Sequence, residues 1–172
     1  MTIRSALRLW AALVIFIIGL PLASFGMGRI PPEATRNAIE EKAPDFLLKD
    51  LQGRAFRLSE QRGKPVLLIF SATWCPSCRG EIPHLKGLYA AYAAKGLVMV
   101  NIDIQEKKEK VAPFAAKNKL PYRTLLDTVG DVATAYGVQG IPNLILVSRD
   151  GTILCRQCGS LDILLEKIFR KQ

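Results

Sequence analysis

The sequence predicts an α/β domain built on a mixed sheet, and three observations carry that reading. Val66-Leu67-Leu68-Ile69-Phe70 is apolar throughout and reads as a central strand covered on both faces. Strand and helix patterns alternate from there to about residue 136. The chain then closes with two strands joined by a turn at Arg149-Asp150-Gly151, which makes antiparallel neighbours. At 172 residues the chain suits one domain plus an appendage and can bury a core without disulfide stapling.

The appendage comes first. Residues 1–8 form a short basic region with Arg4 and Arg8, and residues 9–22 are almost wholly apolar. This pattern is that of an export signal or a retained anchor, and residues 1–27 are assigned to it. Ser24-Phe25-Gly26 offers a poor cleavage site, which favours an uncleaved anchor spanning residues 9–27; if the segment is cut, the domain is released on the outer side of the membrane. Positive charge ahead of the apolar run sends the rest outward. Residues 28–42 read as a linker, with Pro31-Pro32 and then charge, and residues 43–172 as the domain.

Within the domain, strands at 46–48 and 55–58 bracket Asp50-Leu51-Gln52-Gly53 as a hairpin. Residues 59–63 form a helical turn closed by glycine. After the central strand, a helix starts at the cysteines, carries Leu85, Leu88, Tyr89 and Tyr92 on one face, kinks at Pro83 and stops at Lys95-Gly96. Strands follow at 97–102, 122–126, 143–147 and 152–158, with helices at 106–119, 132–136 and 161–170.

Net charge is +9; Arg4, Arg8 and Arg29 supply three of these charges within residues 1–30, where no acid occurs, leaving +6 on the rest. Such a domain suits a membrane surface or an acidic partner. Nucleic acid is not expected, because no basic helix with interleaved aromatics occurs. Lys107, Lys108 and Lys110 alternate with Glu106 and Glu109, the pattern of a solvated helix face.

Trp74-Cys75-Pro76-Ser77-Cys78-Arg79 is the stretch with chemistry in it. A C-x-x-C pair where a strand hands over to a helix is a redox signature, because unpaired N–H groups and the helix dipole favour thiolate over thiol. Cys75 would be the exposed nucleophile, and Cys78, one turn in, the shielded partner that closes the ring. The same spacing also serves zinc, but the aromatic lead-in and uninterrupted helix argue against a zinc knuckle.

Several segments together resemble the membrane-anchored TlpA/ResA-like thiol-disulfide oxidoreductases of the thioredoxin superfamily. They are Ala43-Pro44-Asp45-Phe46, Gly63-Lys64-Pro65-Val66-Leu67-Leu68, Ala72-Thr73-Trp74-Cys75-Pro76-Ser77-Cys78-Arg79, Glu81-Ile82-Pro83 and Gly140-Ile141-Pro142. The resemblance covers about residues 43–170. It implies a thioredoxin-like fold, a mixed central sheet flanked by helices, with an N-terminal hairpin extension. It also implies reduction of disulfides in exported proteins, such as those of cytochrome c maturation, on the periplasmic side of the bacterial cytoplasmic membrane, with a membrane thiol reductase as electron donor and no cofactor. That family usually places proline just before the second cysteine; here Ser77 holds that place, and the direction of electron flow stays open.

The resemblance assigns further residues. Pro142 would be cis and pack across from the cysteines, leaving the Ile141 backbone free to pair with an extended substrate. Glu81, three residues after Cys78, would be buried beside the cysteines, with a raised pKa suited to moving protons. Trp74 would shield the disulfide and present a flat surface to a partner.

His84, the only histidine, reads as a surface residue. Cys155 and Cys158 are candidate auxiliary thiols. In a continuous strand three residues span ~10 Å, beyond the ~7 Å that a disulfide bridges, so they would pair only across a bulge or turn. They otherwise read as small buried residues, as acceptors of electrons from Cys75, or as parts of a thiolate metal site.

Two other functions compete. Copper or zinc handling would use the same thiolates. A peroxiredoxin-like peroxidase would need threonine three residues before the reactive cysteine, where Ala72 stands. No resident metal is assigned.

Overall fold

The computed structural model describes residues 41–170; the expected signal or anchor (1–27) and nearly all of the linker lie outside the described residues. Among the described residues, no helix is long and apolar enough to cross a membrane.

Seven strands form a single mixed sheet in the order β2-β1-β5-β4-β3-β6-β7. They are β1 (Leu47–Asp50), β2 (Ala55–Arg57), β3 (Val66–Ser71), β4 (Val98–Ile104), β5 (Arg123–Asp127), β6 (Asn143–Val147) and β7 (Ile153–Arg156). β3, β4 and β5 run parallel, whereas β1, β6 and β7 join antiparallel. The expected hairpin is present as β1 and β2, and β1 also pairs with β5, so the extension is part of the main sheet.

Alternation along β3 builds two cores. Val66, Leu68 and Phe70 face one side with Phe56, Ile102, Leu125 and Tyr136. Leu67 and Ile69 face the other with Leu85, Leu88, Leu146, Leu161 and Leu165. The second side is covered by α1 (Pro76–Tyr92) and α4 (Leu161–Arg170), and α3 (Asp131–Ala135) sends Val132 and Ala133 into the first. α2 (Lys108–Lys117) lies between β4 and β5 in the chain. Burying both faces of β3 explains why its sequence shows no polar alternation. α1 runs unbroken through Pro83, although the ring removes one backbone donor.

The last strand departs from expectation. It ends at Arg156 rather than at 158, because Gln157 takes a left-handed conformation with φ 47°. That turn folds Cys158 back toward Cys155, and the two close a disulfide with Cα atoms 5.6 Å apart. Neither is a plain buried residue or a free thiol.

Candidate active site

The site grows from the end of β3. Leaving the strand, the chain turns at Ala72, whose carbonyl accepts the Cys75 N–H at 3.2 Å. Cys75 then caps α1 with extended backbone, and Pro76 follows as a first helical residue whose missing N–H costs nothing there. The Cys75 sulfur accepts the Cys78 N–H at 3.1 Å, so an otherwise unpaired helix donor points at that sulfur. Cys75 and Cys78 are joined as a disulfide, their Cα atoms 5.3 Å apart.

Cys75, expected to be exposed, is only 4% exposed, and Cys78, expected to be shielded, is 6% exposed. They differ in what they face. Cys75 lies on the wall of an open groove of about 670 Å³ that also holds Trp74, Ser77, Gln105, Thr134 and Ile141. Cys78 faces inward, onto a water-sized cavity of about 10 Å³ bordered by Ser71, Asn101, Tyr122 and Pro142. Trp74 is 60% exposed and presents its ring at the groove rather than packing in the core.

The Ile141–Pro142 bond is cis. The Ile141 carbonyl oxygen stands 3.7 Å from the Cys75 sulfur, and β6 begins immediately after, antiparallel to β3. The groove therefore has the Cys75 sulfur on one wall and main-chain groups on the other.

Glu81 is not enclosed beside the cysteines. Its side chain is 31% exposed and its carboxylate meets His84 Nδ1 at 2.5 Å, while His84 Nε2 lies 3.0 Å from Asp162 of α4. The Glu81 bond, opposed by partial desolvation and aided by Asp162, raises the imidazole pKa above its ordinary value. His84 is at the surface as expected, yet held between two carboxylates.

Sequence reasoning missed two acids below the groove. Glu106 precedes α2 and is buried, not part of a solvated face. Its carboxylate accepts the Thr73 N–H at 2.6 Å and the Thr73 hydroxyl at 2.8 Å, fixing the loop that delivers Trp74 and Cys75. Arg79 braces the same loop by donating to the Thr73 carbonyl at 3.2 Å. Burial pushes Glu106 up, but bonds from Lys110, Thr73 and Asp103 outweigh it and hold its pKa below the usual value. Asp103, on β4, is pushed up to about 8, by burial first and by the neighbouring Glu106 charge second. The only available signal was the acid pair Asp103 and Glu106, three apart where a strand ends.

A C-x-x-C disulfide at a helix start, facing a cis-proline loop on a thioredoxin-like sheet, defines a thiol-disulfide exchange centre. Known proteins agree. The model of the AhpC/TSA family matches residues 39–155. The thiol-disulfide oxidoreductase ResA of Geobacillus thermodenitrificans is 37% identical over 121 residues, 70% of each chain. Among solved structures, a thiol-disulfide oxidoreductase from Bacteroides fragilis has a TM-score of 0.69 at 28% identity, covering 74% of this chain and 99% of its own. A secreted disulfide oxidoreductase of Mycobacterium tuberculosis, homologous to Escherichia coli DsbE, has a TM-score of 0.57 at 30% identity, covering 63% and 79%. The chain belongs to the AhpC/TSA family, and within it to the ResA-like thiol-disulfide oxidoreductases.

Proposed function

We propose that this enzyme reduces disulfides of exported proteins with a Cys75–Cys78 dithiol, at the outer face of the cytoplasmic membrane and tethered by residues 9–27. The observation that carries the reading is the Cys75 sulfur: it caps a helix, accepts the Cys78 N–H and borders the open groove. In the reduced state that environment stabilises the thiolate. The Cys75 thiolate attacks one sulfur of the substrate disulfide, and the other leaves as a thiolate and takes a proton. Cys78, deprotonated in turn, attacks the Cys75 sulfur and expels the second substrate thiolate, which is protonated as well. Two electrons pass to the substrate, and a membrane thiol reductase restores the dithiol. Trp74 and the Ile141 carbonyl are where an extended substrate segment would rest, with Pro142 shaping that wall. Glu81, one turn beyond Cys78 and bonded to His84, is the group to which the resolving proton would pass. The homology of a secreted solved relative to DsbE supports an exported setting, and cytochrome c maturation partners are the substrate class the resemblance favours.

Neither rival reading gains support. Ala72 has no hydroxyl to hold a peroxide, and the hydroxyl of neighbouring Thr73 is committed to Glu106. For copper or zinc handling, all four sulfurs are tied in two disulfides in this state.

The test is insulin reduction driven by a chemical dithiol. Cys75→Ser is expected to lose all activity above background, and Cys78→Ser to accumulate a mixed disulfide with substrate through Cys75. Undiminished insulin reduction by Cys75→Ser would refute the assignment.

A further inference from the structure

The exchange chemistry above leaves the second cysteine pair unused. Cys155 and Cys158 enclose Arg156-Gln157 in a disulfide ring with the same two-residue spacing as the first pair. Three features separate this ring from a structural staple. A ring so short removes little freedom from the unfolded chain, so stapling gains least at this spacing. Both residues are only partly buried, and Cys158 lines an open groove of about 380 Å³ between α1 and α4, beside Glu81, His84, Pro142, Leu144 and Asp162. Finally, Cys158 lies just ahead of α4, whose first turn is bonded from Leu164 N–H to the Ser160 carbonyl, and it shares its groove with a histidine that two carboxylates hold toward the protonated form. The helix start favours a thiolate at Cys158, while the Glu81 and Asp162 carboxylates in the same groove offset the charge of His84. Pro142 borders both this groove and the cavity beside Cys78, so one residue lines both sites.

We propose that Cys155–Cys158 is a second exchange-active disulfide, in which Cys158 is the sulfur reached from the groove between α1 and α4, and that its reaction partner is a vicinal dithiol on another protein. One thiolate of the partner attacks the Cys158 sulfur. The Cys155–Cys158 bond breaks, and Cys155 leaves as a thiolate and takes a proton. The partner's second thiolate, having given up its proton, then attacks the partner sulfur of the mixed disulfide and releases Cys158, which is protonated. The partner is oxidised to a disulfide and this pair is reduced by two electrons. Run backwards, Cys158 is the nucleophile, which agrees with its place on the wall of the groove.

The experiment uses the full chain carrying Cys75→Ser and Cys78→Ser, so its outcome does not depend on the first centre. The protein is held in graded ratios of reduced to oxidised dithiothreitol without denaturant, quenched in acid, alkylated and weighed; a parallel series uses glutathione as a monothiol. The expected result is two new thiols at ratios where circular dichroism stays native, with dithiothreitol at least 10-fold more effective than glutathione at equal thiol concentration. Thiols that appear only once the fold is lost would overturn the proposal, as would equal response to both reagents. A second pair of variants guards against misfolding of the first. In otherwise wild-type chains, Cys158 of Cys155→Ser is expected to react with an aromatic disulfide at least 10-fold faster than Cys155 of Cys158→Ser, as mapped by peptide mass. Equal or reversed rates would overturn the assignment of Cys158.

Discussion

The Glu106 carboxylate holds both the backbone N–H and the hydroxyl of Thr73, two residues ahead of Cys75. An acid that looks like surface charge in the sequence thus sets the position of the reactive loop. Removing it leaves a buried donor unpaired, at a cost of about 2 kcal/mol. Glu106→Ala is expected to lower the urea midpoint accordingly and to reduce turnover of insulin, while Glu106→Gln, which can still accept from Thr73, retains most of both. Equal stability of all three proteins would remove Glu106 from this role.

Asp103 makes stability depend on pH. Its folded pKa of about 8 lies above the ordinary 3.8, so the folded protein keeps a proton that the unfolded chain has lost. Stability attributable to this group is greatest near the acid end and declines as pH climbs from about 4 to about 8, then levels. Glu106 acts oppositely, but only below its ordinary 4.5, so the two windows separate. Urea denaturation at pH 5, 6.5 and 8 is expected to show falling stability in the wild type and a flatter profile in Asp103→Asn.

His84 is expected to titrate above 6.5, as followed by the NMR shifts of its ring protons. Glu81→Gln removes the dominant bond and lowers that midpoint, with Asp162→Asn giving a smaller change in the same direction. Because the folded pKa is the higher one, the stability this histidine adds is complete below about 6.5 and disappears as pH rises through the folded value. The pH profile of turnover should move with the Glu81 substitution if that carboxylate handles the resolving proton.

Trp74, exposed at the groove, is expected to act on protein substrates more than on small ones. Trp74→Ala should raise KM for a protein disulfide about 10-fold, the effect of losing about 1.4 kcal/mol of contact, and leave reaction with a small aromatic disulfide within about two-fold. Equal losses on both substrates would mean the ring supports the loop instead.

Much of the sheet was legible because burial writes itself into composition. A strand covered on both faces has to be apolar at every position, so 66–70 could be read directly, as could the cysteine that caps the helix after it. What could not be read depends on contacts distant in sequence. Gln157 has no intrinsic preference for the left-handed turn, so nothing local announced that β7 would stop and let Cys158 curl back. The alternating charges at 106–110 look the same whether the first is solvated or buried, and only the approach of Thr73 decides it. Glu81 was expected to be enclosed by resemblance alone; here its carboxylate meets His84 on the same helix, and His84 is in turn bonded to Asp162 of α4.

The start of the domain is laced to its last strand. Glu41 accepts the Ile153 N–H at 2.8 Å through its carbonyl, Ala43 donates to the Gly151 carbonyl at 2.9 Å, and the Glu41 carboxylate grips Arg156. Arg156 sits inside the small sulfur ring and also donates to the Tyr136 carbonyl at 2.6 Å. Tension applied along the backbone at residue 41 would therefore load β7 in shear before it reached the central strands. A leash fastened there pulls on the second cysteine pair first and spares the helix that carries Cys75.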